Sequence, residues 1–409
     1  MLTIRPALPE DRATLARLSH LAFSPAAPLG ETLERYERDP VLQQTSFVAE
    51  DGRIWGKYAL LDYRVYLRGM PLAMGGIGGV AVAPEGRGQG VATALMNHAV
   101  TLMHEQEYPL SMLYGFQHGF YRRLGWACVG EVYRYRVSTR HLPRYRESKD
   151  VLPLDRDMDR LAIEALYQSE APKHNGWLVR NARQWQGHFR ADSRYQWFGY
   201  WQDGLLEGYL VFTYKKLASD SEELDHLAVR EWVVCSSRAY RGLLGFLAAQ
   251  RDQVEAVVWD TDREDPLPKL IAEQRDARDQ TIRTVLNKTG FAAVHSSFMW
   301  RMVHLEQALR LRPIHPGANF TLTFEVHDPV LGVHRPTIAV EQGTVALVPT
   351  PAKTTVKLDI DRLTQLWCGS WSATAAHWSG VLEVEGDPAV LSALDQAWQT
   401  SPPFSWDYF

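Results

Sequence analysis

A glycine-rich junction between a strand and a helix constrains this chain more than any other feature. Residues 80–92 read Val-Ala-Val-Ala-Pro-Glu-Gly-Arg-Gly-Gln-Gly-Val-Ala. An apolar strand runs through Pro84 into a turn, and the turn opens directly into a helix. In that helix Val91, Leu95, Ala99 and Leu102 recur on one face. Gly86, Gly88 and Gly90 let the backbone approach a ligand and leave amide N–H groups unpaired at the helix start. Amide donors at the positive end of a helix dipole suit a pyrophosphate. Further on, residues 108–116 read as a strand, and Gly119-Phe-Tyr-Arg-Arg-Leu-Gly-Trp126 as a short helix ending at a glycine.

The flanks read as mixed α/β. A strand is expected at 3–6, helices at 9–23 and 31–38, a hairpin over 46–60 turning at Asp51-Gly52, and strands at 63–66 and 74–82. Gly75, Gly76, Gly78 and Gly79 would weaken a plain strand, so a bulge or a close backbone approach is expected there.

An internal repeat follows. Asp51-Gly52 and Gly56 map onto Asp203-Gly204 and Gly208 at an offset of 152, which also carries Val82 onto Val234, Gly90 onto Gly242 and Leu95 onto Leu247. The second copy differs where the chemistry would be. Ala239 stands at the Arg87 position, Tyr240 at that of Gly88, and Leu286 at that of Tyr121. It lacks both cradle and hydroxyl and reads as structural, shaping a substrate cleft. From 306 the pattern changes to half-buried strands at 320–326, 337–340, 345–348 and 355–359, with helices at 361–368 and 388–399, a small α+β layer.

Composition narrows the class. With 44 basic against 48 acidic residues, nothing marks a nucleic-acid binder held by phosphate contacts. Cys128, Cys235 and Cys368 are far apart and read as ordinary buried thiols in a reducing compartment. The 14 histidines form no ligand motif, so no metal is expected. No signal peptide is read at the start and no apolar run is long enough for a bilayer, so a soluble cytoplasmic protein is expected, with no membrane partner.

The chain ends Ser401-Pro-Pro-Phe-Ser-Trp-Asp-Tyr-Phe409. Termini are usually polar and frayed. This aromatic plug, stiffened by two prolines, is expected to pack against the protein and to carry the Phe409 α-carboxylate into a partly desolvated place. Read from residues alone, it is either a hydrophobic anchor or a functional carboxylate. Asp407 is either a binder of a cationic amine or a solvated surface carboxylate.

The order Arg87-x-x-Gly90-x-Ala92 after a strand resembles the acetyl-CoA signature of the GCN5-related N-acetyltransferases (GNAT). The Phe120-Tyr121-x-x-x-Gly125-Trp126 segment resembles that family's Phe-Tyr-x-x-x-Gly-Phe. With a degenerate second copy, a small α+β layer and a Pro…Asp-x-Phe terminus, the whole chain resembles the Eis-type (enhanced intracellular survival) aminoglycoside N-acetyltransferases. That resemblance implies a catalytic GNAT domain at 1–145, a degenerate GNAT domain at 146–305 and a sterol-carrier-protein-like domain at 306–409. It implies Tyr121 as general acid and the Phe409 carboxylate as a group reaching the active site. Acetyl-CoA contacts fall on Val80, Ala81, Val82, Arg87, Gly88, Gln89, Gly90, Val91, Ala92, Thr93, Phe116 and Gln117. It also implies a homo-hexamer. One departure is the phosphate loop, Arg87-Gly-Gln-Gly, where some members carry more consecutive arginines; extra glycine amides would offset the lost charge.

The expected chemistry is acetyl transfer to an amine of a small polyamine or aminoglycoside-like molecule. Phe409 takes the amine proton, Tyr121 serves the leaving thiolate, and a strand amide near Val80, Ala81 and Val82 binds the thioester oxygen. An α-carboxyl of pKa roughly 3.3–3.7 is a weak base, and burial against Trp406 and Tyr408 is expected to raise it. Two other classes stay open: an acetyltransferase acting on a protein lysine or N-terminus, and a non-enzymatic acyl-CoA or lipid binder.

Overall fold

The computed structural model describes residues 2–39, 41–190, 194–218, 224–273 and 292–409. They divide into two compact units, one of residues 1–129, 297–400 and 408–409, the other of residues 130–296 and 401–407.

The first unit opens with β1 (Thr3–Pro6), then α1 (Arg12–Phe23), α2 (Leu29–Arg38) and α3 (Val41–Gln44). Strands β2 (Ser46–Glu50), β3 (Ile54–Leu67) and β4 (Met70–Val82) form an antiparallel meander. The segment expected at 63–66 is not a separate strand but the far half of β3. A two-residue turn, Arg68-Gly69, joins β3 to β4 with φ of 49° and 79°, matching the right-handed twist of the paired strands. Next come α4 (Val91–Glu105), the parallel strand β5 (Leu110–Leu113), α5 (His118–Arg122) and β6 (Ala127–Cys128). Helix α4 packs through Val91, Leu95, Met96, Ala99, Val100 and Met103 into a core with Ile77, Leu113, Tyr121 and Trp126. It sits close over the sheet because Gly56 has no side chain: a Cβ there would meet Val91 and Leu95 at 3.0 and 3.1 Å.

The second unit holds β7 (Glu131–Ser138), β8 (Val151–Pro153), α6 (Arg160–Glu170), α7 (Ala182–His188), β9 (Gln196–Gln202), β10 (Leu205–Lys216), β11 (Leu224–Val234), α8 (Ser237–Ala249), β12 (Ala256–Thr261) and β13 (Ala292–Ser296). The repeat is visible in its geometry. Gly56 pairs with Val82 across β3 and β4, and Gly208 pairs with Val234 across β10 and β11, the same offset of 152. A Cβ at Gly208 would meet Ala239 and Leu243 at 2.9 and 3.2 Å, so α8 lies on its sheet as α4 does on the first.

The copies diverge at the helix start. In the second, α8 already runs from Ser237, and Ser236 caps it by accepting a hydrogen bond from the Ala239 amide at 3.1 Å. Helix thus occupies the stretch matching the first copy's glycine turn. Tyr240 donates its hydroxyl to Asp265 at 2.8 Å. Leu286, the expected match of Tyr121, lies outside the described residues.

Returning to the first unit, β14 (Met299–Met302) lies between β5 and β6, giving the order β1-β2-β3-β4-β5-β14-β6. The second sheet runs β13-β7-β12-β11-β10-β9-β8. The last strands of the two copies are therefore exchanged, each completing the other copy's sheet. The sheets do not follow boundaries at 145 and 305: residues 131–138 serve the second sheet and 299–302 the first.

The last layer, in the first unit, has β15 (Phe320–Asp328), β16 (Gly332–His334), β17 (Thr337–Glu341), β18 (Thr344–Val348), β19 (Thr355–Asp359) and β20 (Glu383–Glu385), ordered β18-β17-β15-β19-β20 with β16 beside β15. Helices Ile360–Trp367 and Val390–Trp398 cover it, and a further short helix is Ala373–Trp378. The buried Arg312 guanidinium binds the carbonyls of Trp367 and Trp398, the last residues of two helices, where the helix dipoles are negative. Cys235 is exposed rather than buried, contrary to expectation, while Cys368 is buried. No helix among the described residues is long and apolar enough to cross a membrane.

Arg301 on β14 is enclosed and donates to both carboxylate oxygens of Asp328 at 2.7 Å. Its remaining donors go to the carbonyls of Leu124 and Met302. Removing one partner strands a buried charge, so Asp328→Ala should lower stability by about 3–5 kcal/mol. Pairing it with Arg301→Met should recover much of that loss, read from urea midpoints of the two variants.

Candidate active site

Four segments of the first unit build the site: the end of β4, the turn into α4, residues 114–121, and the last two residues of the chain. β4 pairs with β5 only from Met74↔Leu110 to Ile77↔Leu113. Beyond Ile77 the β5-side edge of β4 has no strand partner among the described residues. On its other side β4 carries the expected bulge. Lys57 pairs with Ala81 and Ala59 with Gly78, so β4 has one residue more than β3, and Gly79 takes φ of 56°. Val80, Ala81 and Val82 thus line the point where the two parallel strands part.

The turn into α4 is a cradle. Gly88 and Gly90 hold φ of 77° and 79°, and a Cβ at either would meet nothing within 4 Å. Gly90 is the N-cap of α4 and supplies no side chain to its amides. Among the described residues, the amides of Val91, Ala92 and Thr93 find no protein acceptor; the first helical bond runs from Ala94 to the Gly90 carbonyl at 3.0 Å. Arg87 is exposed, and Gln89 donates its side chain to the Glu85 carbonyl at 2.8 Å. Open space, free amides and a cation fit a pyrophosphate.

A second cation was missed in the sequence. The Arg53 guanidinium lies 3.8 Å over the Trp55 ring and 3.3 Å from Glu85. Trp55 in turn abuts Gly86, where a Cβ would come within 2.9 Å. The hairpin at Asp51-Gly52 thereby braces the turn, a contact across thirty residues that local spacing does not reveal.

Tyr121 is 2% exposed, and its ring is packed by Phe120, Phe116 and Trp126 at centroid distances of 5.0, 5.7 and 6.3 Å. Gly115 makes room for it: a Cβ there would be 3.1 Å from the ring. Burial pushes the phenol up to about 12. Its hydroxyl makes no hydrogen bond to another described residue, so its proton is committed to nothing within the protein. Phe116 is 75% exposed and Gln117, the N-cap of α5, is exposed too.

The terminus divides. Phe409 lays its ring 4.9 Å from Tyr63 and 5.6 Å from Tyr114, and against Gly76 of β4, where a Cβ would come within 2.9 Å of it. Trp406 and Tyr408 were expected to bury this residue. Instead Tyr63 and Tyr114 pack on it, and Tyr408 is 71% exposed with its ring 4.4 Å from Tyr114. Residues 401–407 belong to the second unit. There Asp407 accepts from Arg180 at 2.9 Å and from the Tyr167 hydroxyl at 3.2 Å. Arg180 is buried and also forks onto Glu231 at 2.9 and 2.8 Å. Asp407 is thus neither solvated nor open to an amine; its carboxylate ties the tail down.

Among the described residues no three His, Cys, Asp or Glu side chains are grouped to hold a metal. The structure brings Tyr121 against Gly115 and Phe409 against Tyr114, while Asp407 is engaged by Arg180.

Comparison with known proteins agrees with this architecture. Residues 3–129 and 176–302 each match an acetyltransferase (GNAT) domain, and residues 305–406 match a sterol carrier protein domain. The chain is 25% identical over 366 residues to the N-acetyltransferase Eis of Mycobacterium tuberculosis and of Mycobacterium bovis, covering 85% of this chain and 84% of theirs. Its fold is shared, over 100% of both chains, with a GCN5-related N-acetyltransferase from Anabaena variabilis at TM-score 0.84 and 23% identity. It is shared likewise with Eis1 from Mycobacterium abscessus at TM-score 0.78 and 21% identity. With two GNAT domains in tandem and a sterol carrier protein domain behind them, the chain is a GNAT acyltransferase, similar along most of its length to the Eis N-acetyltransferases.

Proposed function

We propose that the first GNAT domain transfers an acetyl group from acetyl-CoA to an amine of a small polyamine or aminoglycoside-like substrate. One observation carries this reading. Tyr121 packs on Gly115 and Phe409 packs on Tyr114, so a phenol and the chain's terminal residue flank one short segment where β4 leaves β5. The uncapped start of α4 and the open glycines supply the amides for the pyrophosphate, and Arg87 adds charge.

Acetyl-CoA supplies the activated acetyl thioester. The amine substrate arrives mostly protonated, and the Phe409 carboxylate accepts that proton directly or through water. The amine nitrogen then bonds to the acetyl carbon as the carbon–sulfur bond breaks. The Val80, Ala81 and Val82 backbone offers amide donors to the acetyl oxygen. Tyr121, kept neutral by burial, passes its proton to the departing sulfur, and the second proton shed by the newly acylated nitrogen returns through solvent to restore the phenol. With a pKa near 12 it carries its proton throughout the working range. Val91, Ala92, Thr93, Gly88, Gln89, Phe116 and Gln117 complete the coenzyme contacts. A homo-hexamer in the cytoplasm, working without a metal, completes this proposal.

The test is coenzyme A release from acetyl-CoA with a multi-amine aminoglycoside. Extending the chain by a few residues beyond Phe409 should abolish turnover while acetyl-CoA binding and the melting temperature stay intact. Equal activity would remove Phe409 from the chemistry. Turnover with peptide amines but with no small amine would move the acceptor to a protein. Tyr121→Phe should cut kcat by about 100-fold. In the wild type, Tyr121 should impose no alkaline fall in rate between about pH 7 and about pH 10, because its raised pKa keeps it protonated there.

A second test addresses the floor under Phe409. Gly76→Ala places a Cβ against the Phe409 and Tyr63 rings. The tail should lift, carboxypeptidase should release Phe409 faster, and turnover should fall about tenfold or more. Unchanged release and turnover would show that the ring's seat on Gly76 is dispensable.

A further inference from the structure

We propose that Lys57 is a positioning residue for acyl transfer, fixing and polarising the Gly79–Val80 peptide so that the Val80 amide becomes a stronger donor to an acyl oxygen. The inference rests on the reading that an amide at the end of β4 receives that oxygen.

Lys57 has no structural explanation of the usual kind. It is the fourth residue of β3 and is 2% exposed. Among the described residues no carboxylate stands within ion-pair distance of it. Its Nζ is 3.1 Å from the Gly79 carbonyl oxygen, to which it donates, and 5.7 Å from the Tyr36 ring centroid. A buried ammonium with one carbonyl and one ring face for company is costly to keep. Replacing such a group by an apolar side chain of similar volume is often neutral or stabilising.

What it grips is the bulge. Gly79 and Val80 fall in the interval where the β3–β4 register slips, between Lys57↔Ala81 and Ala59↔Gly78, so neither has a ladder partner on β3. Gly79 holds φ of 56°, which glycine adopts freely, so the bulge itself does not fix the orientation of the peptide that follows. In a trans peptide the C=O and N–H point in opposite directions, and the chain has no cis peptide. With the Gly79 oxygen bound to Nζ, the Val80 N–H is aimed away from the lysine. It lies beyond Ile77, where pairing with β5 has ended. A cation on the carbonyl draws electron density through the amide and strengthens the donor at its other end, as hydrogen bonds in chains polarise one another. The lysine thus acts on an acyl oxygen without touching it.

The test compares wild type with Lys57→Met and Lys57→Arg. Three quantities are read: kcat with a small amine, acetyl-CoA affinity, and the thioester carbonyl stretch of bound acetyl-CoA labelled with carbon-13. Lys57→Met should lower kcat about tenfold or more. It should leave affinity within about twofold and the melting temperature no lower than wild type. The carbonyl stretch should move back toward its value in solution. Lys57→Arg, which retains a cationic donor, should restore part of the kcat and of the shift. Wild-type kcat and carbonyl frequency in Lys57→Met would overturn the inference. If that variant does not fold, Lys57→Gln and the wild-type spectrum decide it: an unshifted wild-type carbonyl overturns it equally. A wild type that turns over while Lys57→Met is unaffected sinks only the lysine. A wild type that does not bind acetyl-CoA sinks the acetyl-transfer reading and the inference together.

Discussion

The parting of two parallel strands at Ile77 is the constraint on which the rest of the catalytic domain depends. Sheets keep neighbouring strands at a fixed spacing because every backbone donor and acceptor must be satisfied. To open a sheet in its middle, the chain must supply somewhere else for those groups to go. Around this parting the run Gly75 to Gly79 is rich in glycine, and its glycines make room for different neighbours or turns. Gly75 yields space to Met103 of α4, Gly76 to the rings of Tyr63 and Phe409, and Gly79 takes the left-handed conformation of the bulge. A side chain at Gly75 or Gly76 would collide with Met103 or with those rings, and one at Gly79 would strain the backbone.

The second copy shows the same argument in reverse. Its hairpin, its strand pairing and the seat of its helix on a glycine are retained at a constant offset. What has gone is the unsatisfied part. Ser236 caps α8, whereas nothing caps α4, and Tyr200 packs against Gly242, the counterpart of the exposed Gly90. A helix start free of duty is closed with a side chain; one that must receive an anion is left open. The degenerate copy is the more conventional protein structure of the two.

Sequence reading recovered what local pattern encodes. The glycine turn, the α4 face, the hairpin at Asp51-Gly52, the bulge near Gly79 and the alternating strands of the last layer all follow from spacing over a few residues. The exchange of β7 and β14 did not, because a short apolar strand carries no mark of the sheet it will join. Lys57 was unremarkable in a strand of alternating residues, and Arg53 an ordinary hairpin charge; their significance comes from Gly79 and Glu85, which are distant in sequence. Asp407 was misjudged for the same reason. A carboxylate beside an aromatic terminus reads as available until Arg180 is found beneath it.

That last error sharpens the chemistry. Two carboxylates could have served near the end of the chain, the side chain of Asp407 and the terminal group of Phe409. Arg180 already faces Glu231, and a buried guanidinium between two carboxylates satisfies more of its donors than one pair could. Asp407 is therefore committed to a partner it cannot leave without stranding charge. A general base must be free to change its charge. The proposed base belongs instead to Phe409, whose ring packs against Tyr63, Tyr114 and Gly76. Asp407 thus anchors the tail, and the proposed mechanism gives the proton transfer to the chain end two residues later.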